Sequence, residues 1–318
     1  MDLTYPLNLR KDLRYTGDTA YYIDLIDAEP FFWDICEFDE NHVPKVNYGP
    51  ERGVHRNKTF ICQWALAHLN AFLDTCDRNH LTIYENQLEW LNSHIEYANG
   101  DRNRPLWYNH FDFIHQGQSY PGPWTGGLGH SLAISLFIRD YRMRGNDESL
   151  KFAKQLAWFV FMDVKDGGIL CREGEDLFFE EYNLPPFTRI LDGLLFILLA
   201  VYDLYDATGS QSFGEYFKQG CDTLERSLSR WDFDNQWSYY DIHRKQLSNP
   251  LYHAINYCLL EVLGRVANRP TFREKAESWQ CFIHEPWIRT KVNQTYFHLL
   301  ENSCWYGYRD PRNGSSGK

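Results

Sequence analysis

Three short stretches of this 318-residue chain carry side chains able to move protons or bind an anion. In FFEEYNLPPF, residues 178–187, Glu180 and Glu181 stand beside Tyr182 just ahead of a proline pair. Adjacent carboxylates and a phenol are equipment for general acid–base chemistry, and equally the content of an ordinary solvated acidic loop. In WSYYDIHRKQLSNPLYHAIN, residues 237–256, Tyr239, Tyr240, His243, Arg244, Tyr252 and His253 crowd a second segment that reads either as a site or as a polar turn packed with aromatics. The third stretch, YPGPWTGGLGHSLAIS, brings Trp124, three glycines and His130 to the start of a helix. Such a start can bind an anion, but Gly126, Gly127 and Gly129 match no nucleotide fingerprint, and tight packing explains them as well.

The elements that must position these groups follow from a repeated pattern. AHLNAFLDTCDRNHLTIYENQLEWL, LFIRDYRMRGNDESLKFAKQLAWF, LAVYDLYDATGSQSFGEYFKQGCDTL and LEVLGRVANRPTFREKAESWQCF each read as an apolar helix, a polar turn and a second amphipathic helix. Four αα-hairpins with one helix more apolar than its partner predict a mainly α fold, a ring of inner helices sheathed by outer ones. LDGLLFILLAVYDLY, apolar nearly all round, is expected to be an inner helix. The connectors, residues 98–122, 164–187 and 231–250, fall at equivalent places and should gather on one rim, where the three reactive stretches would meet. Residues 1–55 alternate aromatic and polar residues and break at Pro30, Pro44 and Pro50, so short strands or extended segments capping the ring are expected there. The ring is expected over residues 56–305, with 306–318 a disordered tail.

Bulk properties narrow the function classes. A hydrophobic content of 43% supports a substantial core, and 17% aromatic residues suit either that core or the stacking of sugar rings. A net charge of -11 disfavours nucleic acid as a partner, so an anionic ligand must be met by a local basic pocket. The eight cysteines, at 36, 62, 76, 171, 221, 258, 281 and 304, show neither C-x-x-C pairing nor metal-ligand spacing, and read as reduced core thiols. No run is apolar enough to span a bilayer and the first residues lack the apolar block of a secretory signal. A cytoplasmic chain is therefore expected, although a lost leader would look the same.

The order PW-x-x-G-x-G-x-x-x-AIS, then EEY-x-x-PP ahead of LDG, then YDLYDATG, WSYYD and YH resembles the C-terminal domain of the D-glucuronyl C5-epimerases. The resemblance runs from about Phe111 to Trp279, with weaker similarity through VPKVNYGPERG and near Gln63. It implies an α/α barrel with an added β-rich part, conversion of glucuronate to iduronate within heparosan-type chains, and a homodimer. It also implies functional roles for Glu181, Tyr182, Tyr240 and Tyr252. The chain departs from the family pattern in three places. Asp192 stands where relatives usually have Asn, His130 and Leu132 replace a pair of glutamines, and His243-Arg244 reverses the usual order.

Epimerising C5 of a uronate removes a proton next to a carboxylate and returns one from the opposite face, so two groups are needed. Glu181, raised toward neutral pKa by burial or by Glu180, can be one of them, and Tyr252 the other, with Tyr182 and Tyr240 donating hydrogen bonds. Arg244, Arg189 or Lys245 could neutralise the developing charge. Trp124, His130, Arg189, Asp192, His243, Arg244 and His253 are the expected substrate contacts. The reaction requires no redox cofactor, and no metal is signalled. Breakage at C4 before reprotonation would make the chain a polysaccharide lyase. A glycoside hydrolase would set Glu180 or Glu181 against Asp192 or Asp241 at about 5–5.5 or 6.5–9.5 Å, and a non-catalytic glycan-binding module would use the tyrosines only for stacking.

Overall fold

The computed structural model describes residues 19–26, 33, 35–49, 52–115, 118–185, 187–288 and 290–292. The expected tail, Cys304 and most of residues 1–35 lie outside the described residues.

Each repeated sequence pattern forms a helical hairpin. The pairs are α1 (Lys58–Thr75) with α2 (Arg78–Ser93), α3 (Gly127–Arg144) with α4 (Asp147–Phe161), α5 (Leu191–Thr208) with α6 (Gln211–Ser227), and α7 (Pro250–Val266) with α8 (Pro270–Cys281). Local chemistry sets the turns. Cys76, Gly145 and Gly209 end α1, α3 and α5 in the left-handed conformation, and the Asp77 and Asn146 side chains cap α2 and α4. Proline at the first turn of α7 and α8 removes an N–H that a helix start cannot use.

The inner helices α1, α3, α5 and α7 pack side by side in chain order, each backed by its outer partner. Helix α5 is buried from Leu191 through Leu204, because it faces neighbours on every side. The architecture is an α/α barrel.

Each connector carries antiparallel two-stranded ribbons: β4 (Glu96–Tyr97) with β5 (Pro105–Leu106), β6 (Phe113–His115) with β7 (Gln118–Tyr120), β8 (Leu170–Glu173) with β9 (Asp176–Phe179), and β10 (Asp232–Phe233) with β11 (Trp237–Ser238). Ahead of the barrel, β1 (Cys36–Phe38), β2 (Pro44–Asn47) and β3 (Val54–His55) form an antiparallel sheet whose central strand packs on α1.

The two ends of the barrel differ. At the C-terminal ends of the inner helices, residues 20–25 lie across a buried polar network. Tyr22 donates to Asp203 at 2.7 Å, Arg139 pairs with Asp203 at 2.7 Å, and Asn70 bonds the backbone of Tyr21 and Ile23. At the opposite end the connectors are knitted together through the backbone. Gly127 N–H donates to the Glu181 carbonyl at 2.7 Å, and Leu191 N–H to the Tyr240 carbonyl at 2.9 Å. Bridges pair Gly126 with Tyr182 and Ile190 with Asp241. These links draw the three reactive stretches to one rim. Among the described residues no helix is long and apolar enough to cross a membrane.

Candidate active site

A cavity opens on the connector rim, at the N-terminal ends of the four inner helices. Each helix contributes a residue from its first turn: Lys58 from α1, Leu128 and Gly129 from α3, Asp192 from α5 and Tyr252 from α7. The connectors add Asn109, Phe113, His115, Trp124, Glu181, Tyr182 and Tyr240, while Tyr48 comes from the sheet segment. Glu181, Tyr182, Tyr240 and Tyr252 therefore face one space.

Glu181 reaches this space because two glycines permit close approach. A Cβ on Gly126 would lie 3.1 Å from the Glu181 carbonyl oxygen, and one on Gly193 would lie 2.7 Å from Glu181 Oε2. The glycine-rich helix start thus serves packing. Burial holds the Glu181 carboxyl well above the ordinary carboxylate range, Asp192 pushes it further, and a hydrogen bond from Tyr182 opposes the shift. Burial also raises Asp192, to about 7, against the pull of its own and Gly193's N–H groups at the helix start.

Glu180 has a different fate. Its side chain, turned from the cavity, is paired with Arg189, which also reaches Glu173. The group that perturbs Glu181 is therefore Asp192 and not the adjacent Glu180, a correction to the sequence expectation. Glu180 directly follows β9, and its carboxyl is held on Arg189, so it is not available to the cavity.

The phenols form a connected set. Tyr240 and Tyr252 meet edge to face with ring centroids 5.2 Å apart, and the Tyr240 hydroxyl lies 3.4 Å from His115 Nε2. Burial and then the Glu181 charge push the phenols of Tyr182 and Tyr240 well above their ordinary range, so both are hydrogen-bond donors at neutral pH. His115 is driven down to about 3 by burial and by the charge of Arg244, leaving a neutral imidazole beside Tyr240. Trp124 stacks on Phe113 at 5.0 Å, giving the cavity an aromatic wall. Lys58 Nζ donates to Thr125 Oγ1 at 2.6 Å and to the Trp107 carbonyl at 3.1 Å, and burial lowers its pKa to about 7. Among the described residues no group of three or more His, Cys, Asp or Glu is arranged to hold a metal ion.

The family model described as D-glucuronyl C5-epimerase C-terminus matches residues 101–281. The chain belongs to that family. A D-glucuronyl C5-epimerase of Caenorhabditis elegans is 23% identical over 177 residues, covering 50% of this chain and 29% of that protein, so the matched stretch spans under a third of that relative. Among solved structures, a glycoside hydrolase family 76 α-mannanase of Bacteroides thetaiotaomicron aligns with a TM-score of 0.56 at 12% identity, over 80% of this chain and 65% of that one. A cellobiose 2-epimerase of Bacillus thermoamylovorans aligns with a TM-score of 0.50 at 16% identity, over 81% and 69%. At such identities these two show the barrel alone.

Within this C5-epimerase-family domain, several of the expected substrate contacts sit elsewhere. His130 is fully buried against Phe159, with ring centroids 4.6 Å apart, and burial keeps it neutral. His253 stacks on Trp237 at 3.7 Å, accepts from Ser238 N–H through Nδ1 at 3.1 Å and donates through Nε2 to the Trp279 carbonyl at 3.2 Å. Both histidines belong to the core, because successive residues of a helix point about 100° apart and their neighbours Gly129 and Tyr252 take the cavity face. Arg189 is committed to Glu180 and Glu173. His243 and Lys245 are exposed on the loop after Asp241. Arg244 is exposed as well, yet its charge acts on His115 and on Tyr120, which places it beside the cavity's phenols. Trp124 and Asp192 line the cavity itself. Sequence reasoning missed Tyr48, Lys58, Asn109 and His115. The only available signal was the clustering of such residues in segments that precede inner helices.

Proposed function

We propose that the chain epimerises C5 of D-glucuronate residues to L-iduronate within a heparosan-like polysaccharide, by removing a proton from one face of the sugar and supplying one to the other. The observation that carries this reading is the convergence of Glu181, Tyr182, Tyr240 and Tyr252 on one cavity. Glu181, whose affinity for a proton is raised by burial, works on one face, and Tyr252 on the opposite face. Tyr182 and Tyr240, held as neutral donors, hydrogen-bond the developing enolate. The N-terminal ends of the inner helices and the Arg244 guanidinium favour an anionic substrate at this end of an otherwise acidic molecule. Phe113 and Trp124 offer flat apolar surface to a sugar ring.

Incubation with heparosan in deuterated water tests the reading: deuterium enters C5, and Glu181→Gln and Tyr252→Phe each slow that exchange by about 10²–10⁴-fold. A new double bond would instead mark a lyase, new reducing ends a hydrolase, and binding without any of these a glycan-binding module.

A further inference from the structure

Two carboxyl groups share the floor of the cavity with too few partners for their oxygens. Glu181 and Asp192 are 7% and 2% exposed, and Glu181 Oε2 and Asp192 Oδ1 have no hydrogen-bond partner among the described residues. Glu181 lies directly over the start of α5, where Asp192 and Gly193 stand. The nearest basic residue in that stretch of sequence, Arg189, is turned onto Glu180 and Glu173. Two buried anions so placed would repel each other and leave both oxygens unsatisfied, which disfavours the doubly ionised pair. A single proton held by the pair removes the repulsion, because only one charge then remains.

We propose that Glu181 and Asp192 form a carboxyl dyad holding one shared proton, so that the pair, and not Glu181 alone, is the acid–base unit on one face of the sugar. The proposal rests on the function proposed above for its catalytic part only.

The groups facing the dyad suit that arrangement. Tyr182 donates to Glu181 from its own loop, and Tyr240, on the connector ahead of α7, lines the same cavity and feels the charge of both carboxyls. Tyr120 faces Glu181 from β7, and the N–H groups of Asp192 and Gly193 face Asp192 from α5. Beyond these phenols stand the neutral His115 and the Arg244 cation. A singly protonated dyad can either accept or give a proton. In the forward direction its ionised carboxylate takes the C5 proton and becomes fully protonated, while the Tyr252 hydroxyl gives its proton to the other face and becomes a phenolate. The excess proton then returns from dyad to phenolate through Tyr182 and Tyr240, which neighbour both ends. No atom or electron is gained or lost over the cycle.

Infrared spectra of the substrate-free protein across a pH series test the dyad, with the Glu181→Gln/Asp192→Asn double variant subtracted to remove other carboxyls such as Asp241. The carboxylic-acid signal of the wild type should disappear in two steps separated by more than about one pH unit. Each single variant should lose its signal in one step lying between those two. A wild-type curve equal to the sum of the two single-variant curves would overturn the proposal. Where one of these variants folds poorly, Glu181→Ala or Asp192→Ser takes its place, so the comparison of wild-type and single-variant curves remains available. C5 exchange is measured alongside. A two-step titration without exchange on heparosan upholds the dyad and sinks the epimerase reading, whereas exchange with additive curves does the reverse.

Discussion

Glu180 and Arg189 form an ion pair with side chains only 2% and 5% exposed, while Glu181, the next residue, turns into the cavity beside Asp192. Two neighbouring glutamates thus have opposite relations to stability. Replacing Arg189 with Met leaves Glu180 a buried, unpaired charge and should cost about 3–5 kcal/mol of unfolding free energy. Replacing Glu181 with Gln removes a poorly satisfied buried carboxyl, so stability should hold or rise while C5 exchange is lost. Urea titrations of the two variants beside an exchange assay check both outcomes.

Gly193 offers a way to displace Glu181 without deleting it. Alanine there would bring a Cβ to 2.7 Å from Glu181 Oε2 and 2.9 Å from its Cβ. The glutamate must move, whereas the helix gains about 1 kcal/mol of intrinsic propensity. Gly193→Ala should cost at most about 3 kcal/mol of unfolding free energy, because the Glu181 Cβ gives way only with its backbone, and under the proposed function should slow C5 exchange by about 10²-fold through displacement of Glu181. An unchanged exchange rate in a folded variant would show that the position of Glu181 is immaterial.

The barrel was legible because its signals are local. Apolar runs at helical period, left-handed residues such as Gly145 and Gly209, and the caps Asp77 and Asn146 all act within a few residues of where they stand. The motif residues Glu181, Tyr182, Tyr240 and Tyr252 could be named from the family resemblance, but sequence alone could not say which neighbours would share their space. His130 and His253 sit next to cavity residues in sequence and a third of a turn away in space, so proximity in the chain misplaced them. Lys58 and His115 enter from segments more than 60 residues before Glu181, and only the packing of α1 against α3 and the ribbon of β6 bring them in. That Asp192 and not Glu180 would be the charged neighbour of Glu181 depended on where Arg189 points, which no local pattern encodes.

The far end of the barrel gives a prediction independent of catalysis. Asp203 is fully buried, accepting from Tyr22 and from Ser135, which donates at 2.6 Å, while paired with Arg139. Arg139 lies 4.7 Å from the ring centroids of both Tyr21 and Tyr22, tying residues 20–25 to α3 and α5. Asp203→Asn leaves the Arg139 cation buried without its counter-charge and should cost about 3–5 kcal/mol. Hydrogen exchange should show the amides of residues 20–25 losing protection first, while C5 exchange by the remaining folded protein stays at the wild-type rate.

Asp192 also makes stability depend on pH in a definite direction. Its carboxyl pKa rises from 3.8 to about 7 on folding, so between those values the native state keeps a proton that the unfolded chain has released. This contribution is fully present below pH 3.8, falls as pH rises, and is gone above about 7. Buried His68, His115 and His253 act in the opposite sense. Each is pushed from 6.5 to about 3, so their contribution is present above pH 6.5 and lost as the solution is acidified. The wild-type profile mixes the two trends, but Asp192→Asn retains the histidines while it removes the Asp192 carboxyl and its charge effect on Glu181. The difference in unfolding free energy, wild type minus Asp192→Asn, should therefore decline between pH 4 and 7, by at most about 1.4 kcal/mol per pH unit. Parallel urea melts at half-unit pH intervals would reveal it, and a difference that rises with pH would mean that Asp192 is ionised in the folded protein.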